Sequence, residues 1–271
     1  MSTSIYQEGY VLAAVDDSPY AESVAGYAGW AASRLHAPLQ LLHTLNPDSV
    51  GTNRDLSGNP IDCPASDTGL ALLERLRGNA RKLYGIEAGT TQHYGTLLDT
   101  LQALEPQMRL LAIGKRGEDS NPSDHQLGSN LERIIRAVRR PVLVTSGPLL
   151  PVRRFLIAYD GGSAGQQCLD GVCAGAFFEG MECHLLMATE PSNKHQAQLE
   201  KAANRLRQAG FEPSTEIICG APEVVIAQHI NSREIDMLVM GSYGHSRIRN
   251  LFVGSTTTHV LLNCPKPVLM L

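Results

Sequence analysis

The sequence predicts an α/β protein of two tandem domains, each an open parallel five-stranded sheet with helices on both faces. Three observations carry this reading. Short apolar runs of strand length alternate with longer segments of helical period, the order that a parallel sheet with crossover helices requires. The same landmarks recur in the two halves: Asp16 with Asp160, Gly95 with Gly220, Gly114 with Gly241, Gly128 with Gly254 and Pro141 with Pro267. A chain of 271 residues is long for one compact α/β domain and comfortable for two, each burying its own core.

The first strand runs from Tyr10 to Val15 and ends at Asp16-Asp17-Ser18-Pro19, where Ser18 can cap a helix and Pro19 can fill its first turn. That helix extends to about His36, and Leu39 to Leu45 follows as the second strand. Asn46 to Ser66 is rich in Gly, Pro, Asn, Asp and Ser without apolar periodicity and reads as an exposed loop. Leu70, Leu73, Leu76, Ala80 and Leu83 mark a helix from Asp67 to Tyr84. A third strand spans Ile86 to His93, and a short helix from Thr96 to Leu104 leads to a fourth strand at Leu110 to Ile113. Gly114-Lys115-Arg116-Gly117 opens a loop, Gly128-Ser129 starts a helix to Arg139, and Val142 to Thr145 completes the five strands.

Ser146 to Pro151 breaks the pattern and reads as a linker, which sets the domains at 1–146 and 152–271. The series then starts again. Phe155 to Tyr159 is a strand ending at Asp160, and Ser163 with Gln166 suggests a capping box for a helix to Phe178. Cys183 to Ala188, a helix from Lys194 to Ala209, Thr215 to Ile218, a helix from Pro222 to Ser232, Met237 to Met240 and Pro267 to Leu271 repeat the first half. The first half is longer, and its extra residues fit within the Asn46 to Ser66 loop.

The charge balance is 23 basic against 27 acidic residues, a formal −4, which argues against a general nucleic-acid or membrane-surface binder. No apolar run reaches membrane-spanning length, and Met1 to Tyr10 lacks the pattern of a secretory signal, so a cytoplasmic location is expected. The six cysteines include no C-x-x-C pair and read mainly as small core residues. Cys168 and Cys173 fall five apart on a helix, off a common face, so no metal site is expected there.

The chemistry concentrates after Met240. Gly241 and Gly244 are followed by nine residues and then by Gly254, Ser255 and Thr256, on a loop from a strand to a helix. Glycine lets phosphate oxygens approach the backbone, and the free N–H groups at the start of a helix attract anions. His245, Arg247 and Arg249 lie on this loop with no acid between Gly241 and Ser255. That potential suits an anionic ligand. Read alone, Gly241 can simply make a turn and Ser255 can simply cap a helix, and His245 and Arg247 can be phosphate contacts or solvated side chains.

The arrangement Gly241, Gly244, nine residues, Gly254-Ser255 resembles position for position the nucleotide-binding signature of the universal stress protein family. The surrounding GSYGHSRIRNLFVGSTTTHVL and the LQLLHTL strand are also similar to that family, and the likeness covers nearly the whole chain. It implies the adenine nucleotide alpha hydrolase-like fold, ATP or a related adenine nucleotide as ligand, with or without Mg2+, and pairing of halves through the fifth strands. It implies contacts from Asp160 and Ala188 to the adenosine part, although Asp160 can also be read as a companion of a helix N-terminus. It does not imply an enzyme.

Asp16, Gly114, Gly117, Gly128 and Ser129 repeat the signature in the first half, but ten residues separate Gly117 from Gly128, and they include Glu118, Asp119 and Asp124. The expectation is a weaker second site, its acids offset in part by Lys115 and Arg116. Neither half carries G-x-x-x-x-G-K-[ST] or G-x-G-x-x-G, and no catalytic set of carboxylate, histidine and nucleophile stands out. The leading expectation is a stress-response regulatory protein whose nucleotide alters binding of a protein partner, as an intrachain pseudo-dimer or a homodimer. The alternatives are an enzyme of slow ATP hydrolysis or adenylyl chemistry, and an interaction scaffold without nucleotide.

Overall fold

The computed structural model describes residues 8–45, 67–116, 129–241 and 255–271. The first half runs β1 (Tyr10–Val15), α1 (Ala21–Leu35), β2 (Leu39–Leu45), α2 (Asp67–Tyr84), β3 (Gly89–Tyr94), α3 (Leu97–Leu104), β4 (Met108–Gly114), α4 (Ser129–Ala137) and β5 (Val142–Thr145). The second runs β6 (Arg154–Ala158), α5 (Ser163–Cys173), β7 (Glu182–Ala188), α6 (Asn193–Gln208), β8 (Ser214–Ile218), α7 (Pro222–Ser232), β9 (Met237–Met240), α8 (Ser255–Asn263) and β10 (Val268–Met270). The ten strands make one sheet in the order β3-β2-β1-β4-β5-β10-β9-β6-β7-β8. Each half therefore has the same internal order, with its first strand between its second and fourth.

The strands inside the sheet are buried on both faces, as their continuous apolar runs require, while the edge strands β3 and β8 are partly exposed. Along β1, Val11, Ala13 and Val15 enter one core with α1, α2, α5 and α6. Leu12 and Ala14 enter the other, with residues of α3, α4, α7 and α8. All strand pairs within a half are parallel. Between halves, β5 and β10 pair antiparallel, with Val144 opposite Val268, Leu143 opposite Leu269 and Val142 opposite Met270. The strands expected to lie side by side do so. Because this one pairing is antiparallel, the carboxyl ends of the strands in the two halves point to opposite edges of the sheet.

An aromatic cluster joins the halves on the α1 face. Trp30 meets Phe177 edge-on at 5.2 Å, Phe177 meets Phe178 at 4.9 Å, and Phe178 leans on Phe155 at 4.6 Å. Arg34 donates to the carbonyls of Phe177 at 2.8 Å and Ala176 at 3.4 Å, and to that of Glu179. The segment after β5 is held to α1 as well. Ser23 donates to the Gly147 carbonyl, and the Tyr27 hydroxyl bonds to both Pro148 and Leu150.

Two sequence expectations, both about α5, are corrected. The helix expected to reach Phe178 ends at Cys173, and Ala176–Phe178 is a separate 3-10 turn. Ser163 is the first helical residue rather than the cap, which is Gly162, and the Gln166 side-chain Nε2 donates instead to the Tyr159 hydroxyl. Along α2, Leu73, Leu76 and Ala80 are buried, but Leu70 and Leu83 are 43% and 60% exposed, so the apolar stripe is wider than the surface it covers. The Asn46 to Ser66 loop lies outside the described residues.

Candidate functional site

In an open parallel sheet a ligand crevice forms outside the carboxyl ends of the strands, where neighbouring strands send their connections in opposite directions. In the second half that point lies between β6 and β9, where Ala158 pairs with Met240. Asp160 and Gly241 therefore leave adjacent strands side by side. Ala188 ends β7, next to β6, at the same edge. The backbone of α8 begins at Ser255 and includes Thr256. Gly244, His245, Arg247 and Gly254 lie outside the described residues.

Asp160 is exposed, and its Oδ1 accepts from the Gly162 amide at 2.8 Å, closing the turn that opens α5. Glycines make room for this carboxylate: a Cβ on Gly165 would stand 2.7 Å from Oδ1, and Gly161 adopts a φ of +75°. The helix-companion reading of Asp160 is thus satisfied by one oxygen, while among the described residues no hydrogen bond reaches Oδ2. Gly241 has a packing reason of its own. A Cβ there would lie 2.4 Å from the Ala164 carbonyl oxygen, so only glycine lets β9 leave the sheet this close to the first turn of α5.

The first half repeats the frame. Ala14 pairs with Ile113, which sets Asp16 beside Gly114, and Asp16 Oδ1 accepts from the Ser18 amide at 3.2 Å. The strand register makes Thr44 the counterpart of Ala188. The neighbouring His43, buried on β2, meets Gln92 at 3.3 Å through Nδ1 and Asp17 at 3.9 Å through Nε2. Gly69 of α2 closes on this cluster, since a Cβ there would come within 2.8 Å of the His43 ring. The corresponding strand position in the second half is apolar Met187. Gly117 and Gly128 lie outside the described residues, and Ser129 begins the backbone of α4.

Lys115 departs from its expected role. Its ammonium donates to the carbonyl oxygens of Leu262 and, at 3.2 Å, Cys264, at the far end of α8. Burial pushes its pKa below the ordinary lysine value, with the nearby Cys264 thiol opposing and Arg116 adding to the shift. It is therefore engaged by the other half rather than offered to a phosphate in its own loop. Sequence reasoning missed this contact because Lys115 and Leu262 are brought together only by the seam between β5 and β10.

The cysteine reading holds for Cys168, Cys183 and Cys264, which are buried, and in part for half-buried Cys173, whereas Cys219 is exposed and donates to Glu190 Oε1 at 2.7 Å. Burial raises the thiols of Cys168, Cys173, Cys183 and Cys264, Cys183 to about 12, so they behave as packing groups. Among the described residues no three His, Cys, Asp or Glu side chains converge as a metal site. No helix among them is long and apolar enough to cross a membrane. A cavity of about 500 Å³ lies between α1, α2 and residues 147–149, lined in part by Leu76, Leu83, Tyr84 and Leu149. It does not touch the β6 and β9 strand ends.

Fold and site together define a tandem, doubly wound α/β protein with a strand-order reversal in each half. The family model for the universal stress protein family matches residues 10–146 and 179–271. A universal stress protein of Synechocystis sp., Slr1230, is 31% identical over 96% of this chain and 98% of its own. The chain belongs to the universal stress protein family. Among solved structures, a universal stress protein from Archaeoglobus fulgidus aligns with a TM-score of 0.73 at 20% identity over 97% of this chain and 98% of that one. One from Pseudomonas aeruginosa aligns at 0.67 and 19% identity, covering 98% and 94%. At these identities the structural matches speak to the fold.

Proposed function

We propose that the chain binds ATP or a related adenine nucleotide in the second half, at the carboxyl ends of β6, β7 and β9, and that occupancy regulates a protein partner in a stress response. The observation that carries this reading is the juxtaposition of Asp160 with Gly241 at the strand-order reversal, with α8 opening from the same loop. Phosphates would lie against Gly241, Gly244, Gly254, Ser255 and Thr256, with His245 and Arg247 supplying positive charge. Asp160 Oδ2 and the backbone near Ala188 would meet the adenosine part. Mg2+, if it accompanies ATP, would be carried on the phosphates, in keeping with its usual mode of binding.

The first half is a weaker site at most. Asp16, Gly114 and Ser129 hold the same frame, but Lys115 is committed elsewhere and the loop sequence is acidic. We take 1–146 and 152–271 as the domains, paired within one chain, and the cytoplasm as the location. Calorimetric titration of the full chain with ATP tests the reading: about one tight site is expected, and no heat of binding would overturn it. Sustained multiple-turnover release of ADP or pyrophosphate, lost on changing Asp160 or Gly244, would favour the enzymatic alternative.

A further inference from the structure

We infer that Lys115 is a positioning residue for the opposite half: it clamps the C-terminal end of α8 and so steadies the helix whose first turn carries Ser255 and Thr256. A helix of nine residues is too short to be stable by itself, so its ends matter. Its last carbonyls lack intrahelical partners and form the negative end of its dipole, where a cation is favoured. Yet α8 carries no basic residue in its last turn. Lys115 supplies that cation from the other half.

The geometry suits a strut. The Lys115 amide donates to the Thr145 carbonyl at 2.8 Å, which anchors its backbone where β4 leaves the sheet. Its ammonium reaches across the seam to Leu262 and Cys264, while the Cys264 amide closes the last turn of α8 onto Val260 at 2.9 Å. Val260 and Leu261 are buried, so a shift at this end is passed along a packed helix rather than absorbed by solvent. By contrast, α4 carries its own Arg136 in its last turn, and the counterpart of Lys115 in the second half is the uncharged Ser242. Among the described residues the support runs from the first half to the last helix of the second.

The affinity part of this inference rests on the nucleotide reading above, whereas the mechanical part does not, and one set of proteins separates them. Full-length wild type, Lys115→Met and Lys115→Arg are compared by hydrogen exchange of the peptide spanning Ser255–Cys264 without nucleotide, with α6 as an internal control, and then titrated with ATP. The seam cavity of about 240 Å³ beside Lys115 leaves space for the larger arginine head. Lys115→Met should speed exchange throughout α8, including the His259 amide that reports the first turn, leave α6 unchanged and weaken ATP roughly three- to tenfold. Lys115→Arg should restore both. Unchanged exchange in α8 overturns the clamp, and faster exchange with wild-type affinity overturns its link to the site. Faster exchange in α6 as well would mean general loosening and also overturns it. A wild type that takes up no ATP removes the nucleotide reading and the affinity link with it, while the exchange data still decide the clamp.

Discussion

Asp16 and Asp160 occupy the same place in two copies of one fold, and the surroundings that differ explain why the copies need not do the same work. Around Asp160 the strand ends carry Gly161, Ala188 and Gly241, all of them small. Around Asp16 the counterparts are Asp17, Thr44 and Gly114, and next to them His43, where the second half has Met187, meets Gln92 and Asp17 beneath Gly69 of α2. The lysine beside Gly114 points across the seam instead of into its own loop. A duplicated domain can therefore keep its frame while one copy turns its polar groups to internal bonding and to supporting the other.

The comparison breaks most readily at the seam that makes the two halves one sheet. Phe177→Ala should cost about 3–5 kcal/mol, because Phe177 is fully buried against Trp30 and Phe178 and its removal leaves a cavity between the halves. Urea denaturation would show a lower midpoint. Two separate transitions would indicate that the halves have come uncoupled, whereas an unchanged midpoint would deny the seam its structural weight.

The functional asymmetry is sharpened by paired substitutions in the loops. Gly244→Val should weaken ATP by roughly a hundredfold or more, since a branched side chain blocks the approach of phosphate to the backbone. Gly117→Val should change the titration less than about twofold if the first half contributes little. Equal losses from the two variants would mean two equivalent sites.

Arg34→Ala should cost about 1–3 kcal/mol through the charged hydrogen bonds it removes from the 176–179 turn, read as a drop in melting temperature with the nucleotide stoichiometry unchanged. No drop would show that water replaces the guanidinium without loss.

The smallest effect concerns acid. His229 on α7 is buried with its ring 5.7 Å from that of His184, and burial holds its pKa below the ordinary histidine range. Glu216 opposes this shift, and His184 and Arg233 add to it. The unfolded chain takes up the proton more readily, so the stability contributed by neutral His229 is full above about pH 6.5 and is lost as pH falls through its lower folded value. His184 also faces Glu182 at 3.0 Å, and the bonds from His184 and Arg154 hold that carboxyl below its ordinary range, so a further loss follows at lower pH. His229→Phe should flatten the fall in the urea midpoint between pH 7 and 5. An equally steep fall would place the acid response elsewhere.

The sequence by itself determined the strand and helix order, the duplication and the place of the glycine loops, because these depend on local periodicity and on residues whose backbone freedom is visible in one dimension. Val11 to Val15 reads as a doubly buried strand without reference to any neighbour. Helix ends were less legible: Gly175 separates Cys173 from the Ala176–Phe178 turn, and that turn is held by Trp30 and Arg34, contributed by the other half. Only the tertiary structure decided what single charged and small residues do. Gly241 is required by the Ala164 carbonyl, and Lys115 serves a helix that begins 140 residues later. The reason is physical: periodicity records which face of an element is buried, whereas the partner of a lysine or the atom that would meet a missing Cβ is fixed by how distant elements close on one another.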